Sequence, residues 1–321
     1  MPDVSDGVTG TTRGNGVVVA VLTYLRVPEL LRVLPELRTQ AADLARPARV
    51  LVVDNDPAAG ARDAVEAAGL PGVHYVHEPE PGIAAARNRA LDEAAQEALL
   101  VFVDDDEVPS PGWLAQLVAT WETHPGAAAV VGPIDCRFDR PPGPWVAKGR
   151  FFDHRRLPTG STVDVAATNN LLLDLRAVDR LGVRFDARFG ESGGSDTLFT
   201  REIATRGGVM VWCAEATVTD RVPDARVRPA WVLRRVRRGG NTWSRTSVAL
   251  APPGPRRWRV RASLLVSGGA RVALGAVRAL VGTLLPWTAH QARGVRLAAR
   301  GLGMVTGAVG VVDHEYRRAR R

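Results

Sequence analysis

The chain is 321 residues long, with 45% hydrophobic residues and a formal net charge of +8. This length and apolar content predict one large domain with an appendage, and they exclude a disordered, collagen-like or disulfide-rich protein. The two cysteines, Cys136 and Cys213, are too few for a zinc site made of cysteines or for a disulfide framework. We therefore expect a protein of the reducing cytoplasm.

The positive charge is concentrated at the C-terminal end. Residues 221–321 contain 21 arginines and three acidic residues, whereas the rest of the chain has more acidic than basic residues. The acidic body indicates a domain for metal or sugar chemistry. The basic tail indicates a segment that contacts an anionic surface, either a membrane or a nucleic acid.

The hydrophobic pattern predicts an α/β fold. Residues 1–16 are polar and glycine-rich without the pattern of a signal peptide, so we expect a disordered leader. From residue 17 onward, short β-branched runs alternate with segments of helical period, which is typical of βα units around a mostly parallel sheet. The predicted strands are 17–22, 50–53, 73–76, 99–103, 127–134, 163–173 and 209–212. The predicted helices are 28–44, 57–68, 82–98, 111–124, 196–206 and 230–244.

Two segments depart from this alternation. Residues 139–160 are rich in proline and are predicted to be irregular, either as a mobile loop or as a rigid connection. After a break at residues 251–255 the tail is apolar but interrupted by arginines. Its longest uncharged runs have fourteen and twelve residues, fewer than the roughly 20 needed to cross a bilayer. A helix pair lying on a membrane and helices that pack on the body or on a partner subunit both remain open.

Acidic residues follow two of the predicted strands. Asp54 and Asp56 come after the second strand, and Asp104, Asp105 and Asp106 come after the fourth. In such sheets ligands bind at the carboxyl ends of the strands, and three successive carboxylates repel one another unless a cation compensates them. Because Mg²⁺ takes one or two carboxylates plus phosphate oxygens, we predict a metal-diphosphate site at Asp104 and Asp106. Taken alone, an acidic triplet would equally be a solvated loop.

Six motifs in a fixed order give this triplet a context. They read TY, VVDND, GIAAARN, VDDD, TNNLLL and GGSDT, and through them residues 17–245 resemble the family 2 glycosyltransferases of the GT-A fold. The stretch AEATVTDRVPDARVRPAWVLRRVRRGGNTW resembles more narrowly the polysaccharide-assembling branch that includes the bacterial succinoglycan glucosyltransferases. The resemblance implies a mostly parallel sheet flanked by helices, followed here by a basic helical tail. It also implies transfer of a sugar, with inversion, from a nucleoside-diphosphate sugar to a hydroxyl, assisted by Mn²⁺ or Mg²⁺.

The resemblance divides the chain into functional parts. The expected domains are a catalytic domain at 17–250, with a nucleotide-binding half at 17–135 and an acceptor half at 136–250, and a helical extension at 251–321.

The resemblance also implies which residues bind the donor. Asp54 would accept a hydrogen bond from the ring N–H of uracil or thymine, since a carboxylate is only an acceptor, and this favours UDP or dTDP over GDP. Arg87 would contact phosphate or ribose. Asp104 would lie beside the ribose and the metal, and Asp106 would bind the metal directly. The nucleotide-sugar site is completed by Thr23, Tyr24, Asp56 and Asp105.

On the acceptor side, Asp196 matches the base of the family. An inverting transfer needs a base on the face opposite the leaving group, whereas a carboxylate at the start of a predicted helix would otherwise be an N-cap. The chain departs from the family twice. Ser195 stands where a glutamate is common, and Asp220 stands where many members have a histidine and becomes a third candidate metal ligand. The candidate acceptor-binding residues are Asn169, Asn170, Glu191 and Trp145.

The sequence also bears on a nucleic-acid partner and on two other functions. The helix WVLRRVRRGGNTWSR could bind nucleic acid. The acidic body favours a saccharide or polyprenyl-linked acceptor and peripheral contact with anionic lipid, so no nucleic-acid partner is predicted. We expect a cytoplasmic enzyme, at the inner face of the plasma membrane if its tail contacts lipid. An inactive nucleotide-sugar-binding scaffold remains open because of the two departures. A sugar nucleotidyltransferase is disfavoured because no glycine-rich phosphate loop follows the first strand.

Overall fold

The computed structural model describes residues 14–313, so most of the predicted leader lies outside the described residues. Its centre is a sheet of seven strands. These strands are β1 (Val17–Thr23), β2 (Ala48–Asp54), β3 (Val73–His77), β4 (Leu99–Asp104), β6 (Ala127–Val131), β8 (Asn170–Asp174) and β9 (Val209–Trp212). Their spatial order is β3-β2-β1-β4-β8-β6-β9, and only β8 runs antiparallel to its neighbours. The predicted mostly parallel sheet is confirmed.

Helices cover both faces of this sheet. They are α1 (Val27–Ala42), α2 (Arg62–Ala68), α3 (Ile83–Glu93), α4 (Trp113–Thr123), α6 (Leu175–Leu181) and α7 (Ser195–Thr205). In β1, Val17, Val19 and Val21 pack in one cluster with residues of α1, α2 and α4, while Val18 and Ala20 pack in another with residues of α3, α6 and α7. Because both faces are buried, the strands are continuous apolar runs.

A second, three-stranded sheet was not predicted. It consists of β5 (Glu107–Pro109), β10 (Val218–Val222) and β7 (Ile134–Phe138), in the order β5-β10-β7. The strand predicted at 127–134 is confirmed as far as Val131 and its end is wrong, since the chain leaves the large sheet after β6 and enters the small one at β7. Between them, Gly132 lies so close to the Ala216 carbonyl and the Asn170 side chain that no Cβ would fit, and Pro133 has no N–H for a ladder.

The segment before β8 also differs from its prediction. Residues 163–173 are not one strand, because Val163 donates its N–H to the Met210 carbonyl in β9, whereas β8 inserts between β4 and β6. The proline-rich excursion is not wholly irregular either, since it contains α5 (Pro144–Gly149).

Three long helices form the C-terminal part. They are α8 (Pro229–Leu250), α9 (Pro255–Leu284) and α10 (Thr288–Ala308), so the helical extension is confirmed and α8 is longer than predicted. Helix α10 packs against both α8 and α9, and also against α5. Helices α9 and α10 meet along a glycine seam, where an added Cβ would crowd the backbone of the other helix. The seam consists of Gly268, Gly275, Gly282, Gly294 and Gly301.

Helix α9 leaves a long apolar face uncovered. It has 30 residues, and a window within it has a mean hydropathy of 1.6 with 17% of its residues buried. By length and composition it is the one described helix that could cross a membrane. The exposed apolar residues of the α9 face are Val266, Leu274, Val277, Leu280 and Leu284.

Candidate active site

The predicted donor residues meet at one edge of the large sheet. Thr23 is the register partner of Asp54, and Leu22 is the partner of Asp104. The last residues of β1, β2 and β4 are therefore neighbours, as the rule for the carboxyl ends of parallel strands predicts. The small sheet adds residues to this edge, because β5 begins at Glu107, directly after the three aspartates.

Asp54 anchors the loop that follows β2. It is fully buried, and its carboxylate accepts hydrogen bonds from the N–H groups of Asp56 and Ala61, both at 2.9 Å, and from the hydroxyl of Tyr75 at 3.0 Å. A base N–H could reach this carboxylate only by replacing one of these donors. The base contact of Asp54 stays a prediction, while the half-buried Asp56 lies beside it with a more accessible carboxylate.

Arg26 holds two of the three successive aspartates. Its Nη1 donates to Asp105 Oδ1 at 3.2 Å and to Asp106 Oδ2 at 2.8 Å. Asp105 is buried and also accepts a hydrogen bond from Thr23 Oγ1 at 2.8 Å. Asp105 and Thr23 therefore bond to each other inside the protein, and Asp104 and Asp106 are the more accessible carboxylates.

Two of these crowded, desolvated carboxylates have raised pKa values. Burial raises the pKa of Asp105 to about 6, although the Thr23 hydroxyl and Arg26 act in the opposite direction. Desolvation also raises the pKa of Asp104, with Asp106 adding to the rise and Arg87 opposing it. Since Asp104 keeps solvent exposure, water screens part of this effect. A bound cation would oppose this rise, because it favours the charged carboxylates.

Two further carboxylates continue the cluster into the small sheet. Glu107 and Asp220 are register partners in β5 and β10. Among the described residues, Glu107 Oε2 and Asp220 Oδ1 are buried without a hydrogen-bond partner. Arg226 lies 3.6 Å from both Asp220 Oδ1 and Asp106 Oδ2, which is too long for a hydrogen bond. Burial raises the pKa of Asp220.

These oxygens fit a divalent cation in part. Mg²⁺ and Mn²⁺ prefer oxygen ligands, and the orphaned oxygen of Asp220 lies near Asp106 through their shared neighbour Arg226. Within residues 14–313, however, no group of three or more His, Cys, Asp or Glu side chains is arranged to hold a metal ion. The donor set therefore suits a cation that takes one or two carboxylates and completes its shell with other oxygens.

Arg87 links α3 to the start of α7. Its Nη1 donates to Ser195 Oγ, and its charge lowers the pKa of Asp104. Ser195 is fully buried at the start of α7, directly before Asp196. The residue that departs from the family pattern thus accepts a hydrogen bond from the arginine of the GIAAARN motif.

Asp196 lies in the first turn of α7 and lines a cavity. The N-cap of α7 is Gly194, so Asp196 is not the cap; its Oδ1 accepts the N–H of Thr197 at 2.6 Å. The cavity has a volume of about 550 Å³, and its wall includes Arg235 and Trp243 of α8. A carboxylate in the first turn of a helix interacts favourably with the helix dipole.

The predicted acceptor residues do not form one group. Asn170 is buried, donates to the carbonyls of Pro133 and Ala216, and accepts the indole N–H of Trp113. Its amide is therefore used inside the fold, and its acceptor contact stays a prediction. Asn169 is more accessible and donates to Glu107 Oε1 at 2.6 Å.

The other two acceptor candidates lie elsewhere. Trp145 stacks on Phe151, with 5.1 Å between ring centroids, in an apolar cluster of α5, α8 and α10. This is core packing, so the predicted sugar stacking of Trp145 is not supported. Glu191 is exposed in the loop before α7, and its acceptor role stays a prediction.

Sequence reasoning missed three charged residues of the site. Arg26 directly follows the TYL segment and Glu107 directly follows the three aspartates, so their positions carried a local signal. Arg226 carried none, since it comes 120 residues after Asp106 in the chain and only the fold brings them together.

Comparisons with known proteins agree with this arrangement. A family model described as glycosyl transferase family 2 matches residues 18–175. The chain is 33% identical over 307 residues to the succinoglycan biosynthesis protein ExoM of Rhizobium meliloti (strain 1021), covering 94% of this chain and 96% of that protein.

Solved structures share the fold. The mannosyltransferase PcManGT from Pyrobaculum calidifontis, in complex with GDP-Man and Mn²⁺, aligns with a TM-score of 0.54 and 21% identity over 91% of this chain and 88% of that one. TarS 1-349 of S. aureus aligns with a TM-score of 0.52 and 14% identity over 94% and 93% of the two chains.

The sheet order and its flanking helices therefore define the GT-A fold. With the family model and the relative taken together, this chain belongs to glycosyl transferase family 2.

Proposed function

We propose that this glycosyltransferase is inverting and moves a sugar from a nucleoside-diphosphate sugar, UDP or dTDP in preference to GDP, to a hydroxyl of a saccharide or lipid-linked acceptor. One observation carries the proposal: Arg87, a group suited to phosphate, lies between the carboxylate edge at Asp104 and the turn that holds Asp196. The donor phosphates and the acceptor base would then lie on either side of it. ExoM, a protein of succinoglycan biosynthesis, supports a role in polysaccharide assembly.

The donor would bind along the ends of β1, β2 and β4. Asp54 would accept the ring N–H of the base in place of one of its present donors, and Tyr24 and Asp56 are accessible for the base and ribose. Thr23 and Asp105 would maintain the shape of this edge through their mutual hydrogen bond. Arg26 and Arg87 would hold the phosphates, for which guanidinium groups are well matched.

Asp106 would hold Mn²⁺ or Mg²⁺ together with Asp104 or Asp220, so that two carboxylates reach the cation. When bound, the cation would stabilise the charge that grows on the departing diphosphate. PcManGT, solved with Mn²⁺, supports a divalent cation. Arg26 and Arg226 are the neutralising partners of Asp106 in the structure, and they would turn to phosphate oxygens when the donor is present.

Asp196 would accept the proton of the attacking hydroxyl. Its cavity is separate from the three aspartates but is joined to them through Ser195 and Arg87. The acceptor would enter this cavity, so that its hydroxyl meets the sugar on the face opposite the diphosphate.

The exposed α9 face would rest on an anionic membrane at the cytoplasmic side. Its apolar residues and the many arginines of α9 and α10 are the two features that draw a helix to such a surface. We expect Leu274→Glu to reduce sedimentation with vesicles that contain phosphatidylglycerol, because it places a charge in the α9 face. Leu31→Glu, an equal change on α1, is the control. Equal sedimentation of both variants with the wild type would contradict the membrane contact.

The test of catalysis is donor binding and hydrolysis across a panel of UDP, dTDP and GDP sugars with and without Mn²⁺. We expect metal-dependent binding of one donor with slow release of its nucleoside diphosphate. Asp106→Asn should lose the metal dependence, and Asp63→Asn on the exposed surface of α2 is the matched control. Well-folded protein that binds a donor without hydrolysing or transferring it would favour the inactive scaffold.

The role of Asp196 has its own readout. We expect Asp196→Asn to keep donor binding and to lose transfer by about 10²- to 10⁴-fold, the usual contribution of general base catalysis. Near-normal transfer by this variant would contradict the assignment of the base.

A further inference from the structure

A second cavity lies between the C-terminal helices and α5, away from the carboxylate edge. It has a volume of about 550 Å³. Its lining residues are Arg150, Asp153, Arg278, Arg293, Arg296, Leu297 and Arg300. Three of the five arginines share one face of α10, because residues 293, 296 and 300 are spaced by three and four positions.

The positive charge of this cavity is not balanced. Its one acidic residue, Asp153, is already paired with Arg150. Within the part of the chain that the structure describes, no carboxylate lies within 4.0 Å of Arg278, Arg296 or Arg300. Like charges at such spacing destabilise a helix, so an anion would be stabilising here.

Two of the arginines are already oriented. Arg293 Nε donates to the Lys148 carbonyl at 3.0 Å, and Arg296 Nη1 donates to the Gly149 carbonyl at 3.2 Å. These bonds hold the guanidinium groups against the end of α5 and leave their other N–H groups for a ligand. Burial lowers the pKa of Arg296, and its arginine neighbours add to this effect, so a bound anion would also favour its charged form.

The cavity connects two other features. Arg300 lines both this cavity and the cavity of Asp196. At the other end, Arg278 follows Leu274 by four positions and Val277 by one, which places it at the border of the exposed α9 face. An apolar surface, a basic cavity and the candidate base therefore follow one another across the molecule.

We propose that the five arginines form a binding site for the phosphate groups of an amphipathic acceptor, whose prenyl chain lies along the α9 face and whose sugar reaches the cavity of Asp196. Guanidinium groups bind phosphate oxygens in a bidentate manner, and the apolar face favours a lipid over a soluble phosphorylated sugar. The assignment rests on the proposed glycosyl transfer, but binding of a prenyl diphosphate needs neither donor nor metal.

The probe is a fluorescent prenyl diphosphate, titrated with the full chain in EDTA and followed by anisotropy. We expect farnesyl diphosphate to displace it at lower concentration than inorganic diphosphate, and UDP not to displace it. Arg278→Gln and Arg300→Gln together should weaken binding by at least about tenfold, the effect of losing a charge-assisted hydrogen bond. Both side chains are free of described ion pairs, so the fold should persist.

The matched control removes the same charge elsewhere on α9. Arg256→Gln with Arg259→Gln changes two exposed arginines outside the cavity, and we expect it to bind as the wild type does. Equal losses in both double variants would show diffuse attraction and overturn the site. If inorganic diphosphate displaced the probe as well as farnesyl diphosphate does, the prenyl chain would not contribute to binding, and the assignment of a lipid ligand would be overturned. Arg278→Lys, which keeps the charge and loses the fork, should bind more weakly than the wild type, and binding equal to that of the wild type would contradict bidentate contact.

The two proposals can fail separately. If no donor binds but the prenyl diphosphate does so in an arginine-dependent way, the donor assignment is wrong and the lipid-phosphate site stands. If a donor is hydrolysed and the prenyl diphosphate does not bind, the reverse holds.

Discussion

The sheet and the helical hairpin of α9 and α10 bury their surfaces by different means. In the sheet, large apolar side chains such as Leu100, Phe102 and Leu172 are enclosed on both faces. In the hairpin, the backbones approach at the glycine seam, and large apolar side chains of α9 such as Leu274 and Leu280 are exposed. The sheet therefore uses its side chains for its own stability, whereas the hairpin keeps its side chains available for an external apolar surface.

The two regions also differ in how they treat charge. At the carboxylate edge, Arg26, Arg87 and Arg226 lie among the aspartates and compensate them. In the cavity of five arginines, one aspartate faces them all. At the carboxylate edge the negative charge is already compensated by arginines, and this edge suits a ligand that brings its own cation. In the cavity the positive charge is not compensated, and this region suits an anionic ligand.

The largest expected effect is on the sheet. Phe102→Ala should lower the free energy of unfolding by about 3–5 kcal/mol, because it leaves a cavity between β4 and the rings of α7 and its preceding loop. Leu274→Ala on the α9 face should change it by less than about 0.5 kcal/mol. The free energies of unfolding are compared by chemical denaturation of both variants without lipid. A similar loss of this free energy in the two variants would show that the α9 face is covered in solution.

The glycine seam gives a smaller but sharper comparison within one helix. Gly275→Ala should destabilise by about 1–3 kcal/mol, because its Cβ would lie against the backbone of Ala298 and Gly294. Gly269→Ala, where the added methyl meets nothing within 4 Å, should stabilise by about 0.5–1 kcal/mol through higher helix propensity. Thermal unfolding monitored by circular dichroism measures both, and equal signs would contradict close packing at the seam.

The third comparison concerns a pH dependence at the carboxylate edge. Asp105 has a raised pKa of about 6 in the fold and about 4 when unfolded. Below pH 4 the carboxyl is neutral in both states. As the pH rises from about 4 to 6 the unfolded chain loses the proton first, so the free energy of unfolding falls.

Asp105→Asn should flatten this slope in EDTA, while Asp63→Asn should leave it unchanged. The measurement is the denaturant midpoint at several pH values. A slope of the same size in Asp105→Asn would assign the titration to another group.

Sequence patterns predicted the fold wherever the signal was local. β1, β2, β3, β4 and β9 were found because each is a short β-branched run bounded by turns. The end of the strand predicted at 127–134 was wrong because apolar residues continue through the turn at Pro133, and hydrophobicity does not distinguish one sheet from another. β8 was misplaced because an antiparallel insertion between β4 and β6 depends on pairings far apart in the chain.

The site divides in the same way. The aspartates after β2 and β4 and the Asp196 turn were found from short motifs. The anchoring roles of Asp54 and Asn170 were not, since both depend on donors from other elements. The glycine seam also gave no signal, because glycines in a helix lower its propensity and only the approach of a second helix explains them.

The glycine seam determines which substitutions each side of α9 tolerates. At Gly275 and Gly282 of α9 the space left for a side chain is smaller than a methyl group, so these positions admit only glycine. On the outer side, any apolar residue that is compatible with a helix would be tolerated, so the identity of the residue can vary. A saturation library of α9 should therefore divide into two classes on opposite sides of the helix, with Gly275 and Gly282 invariant and the outer side limited only in its polarity.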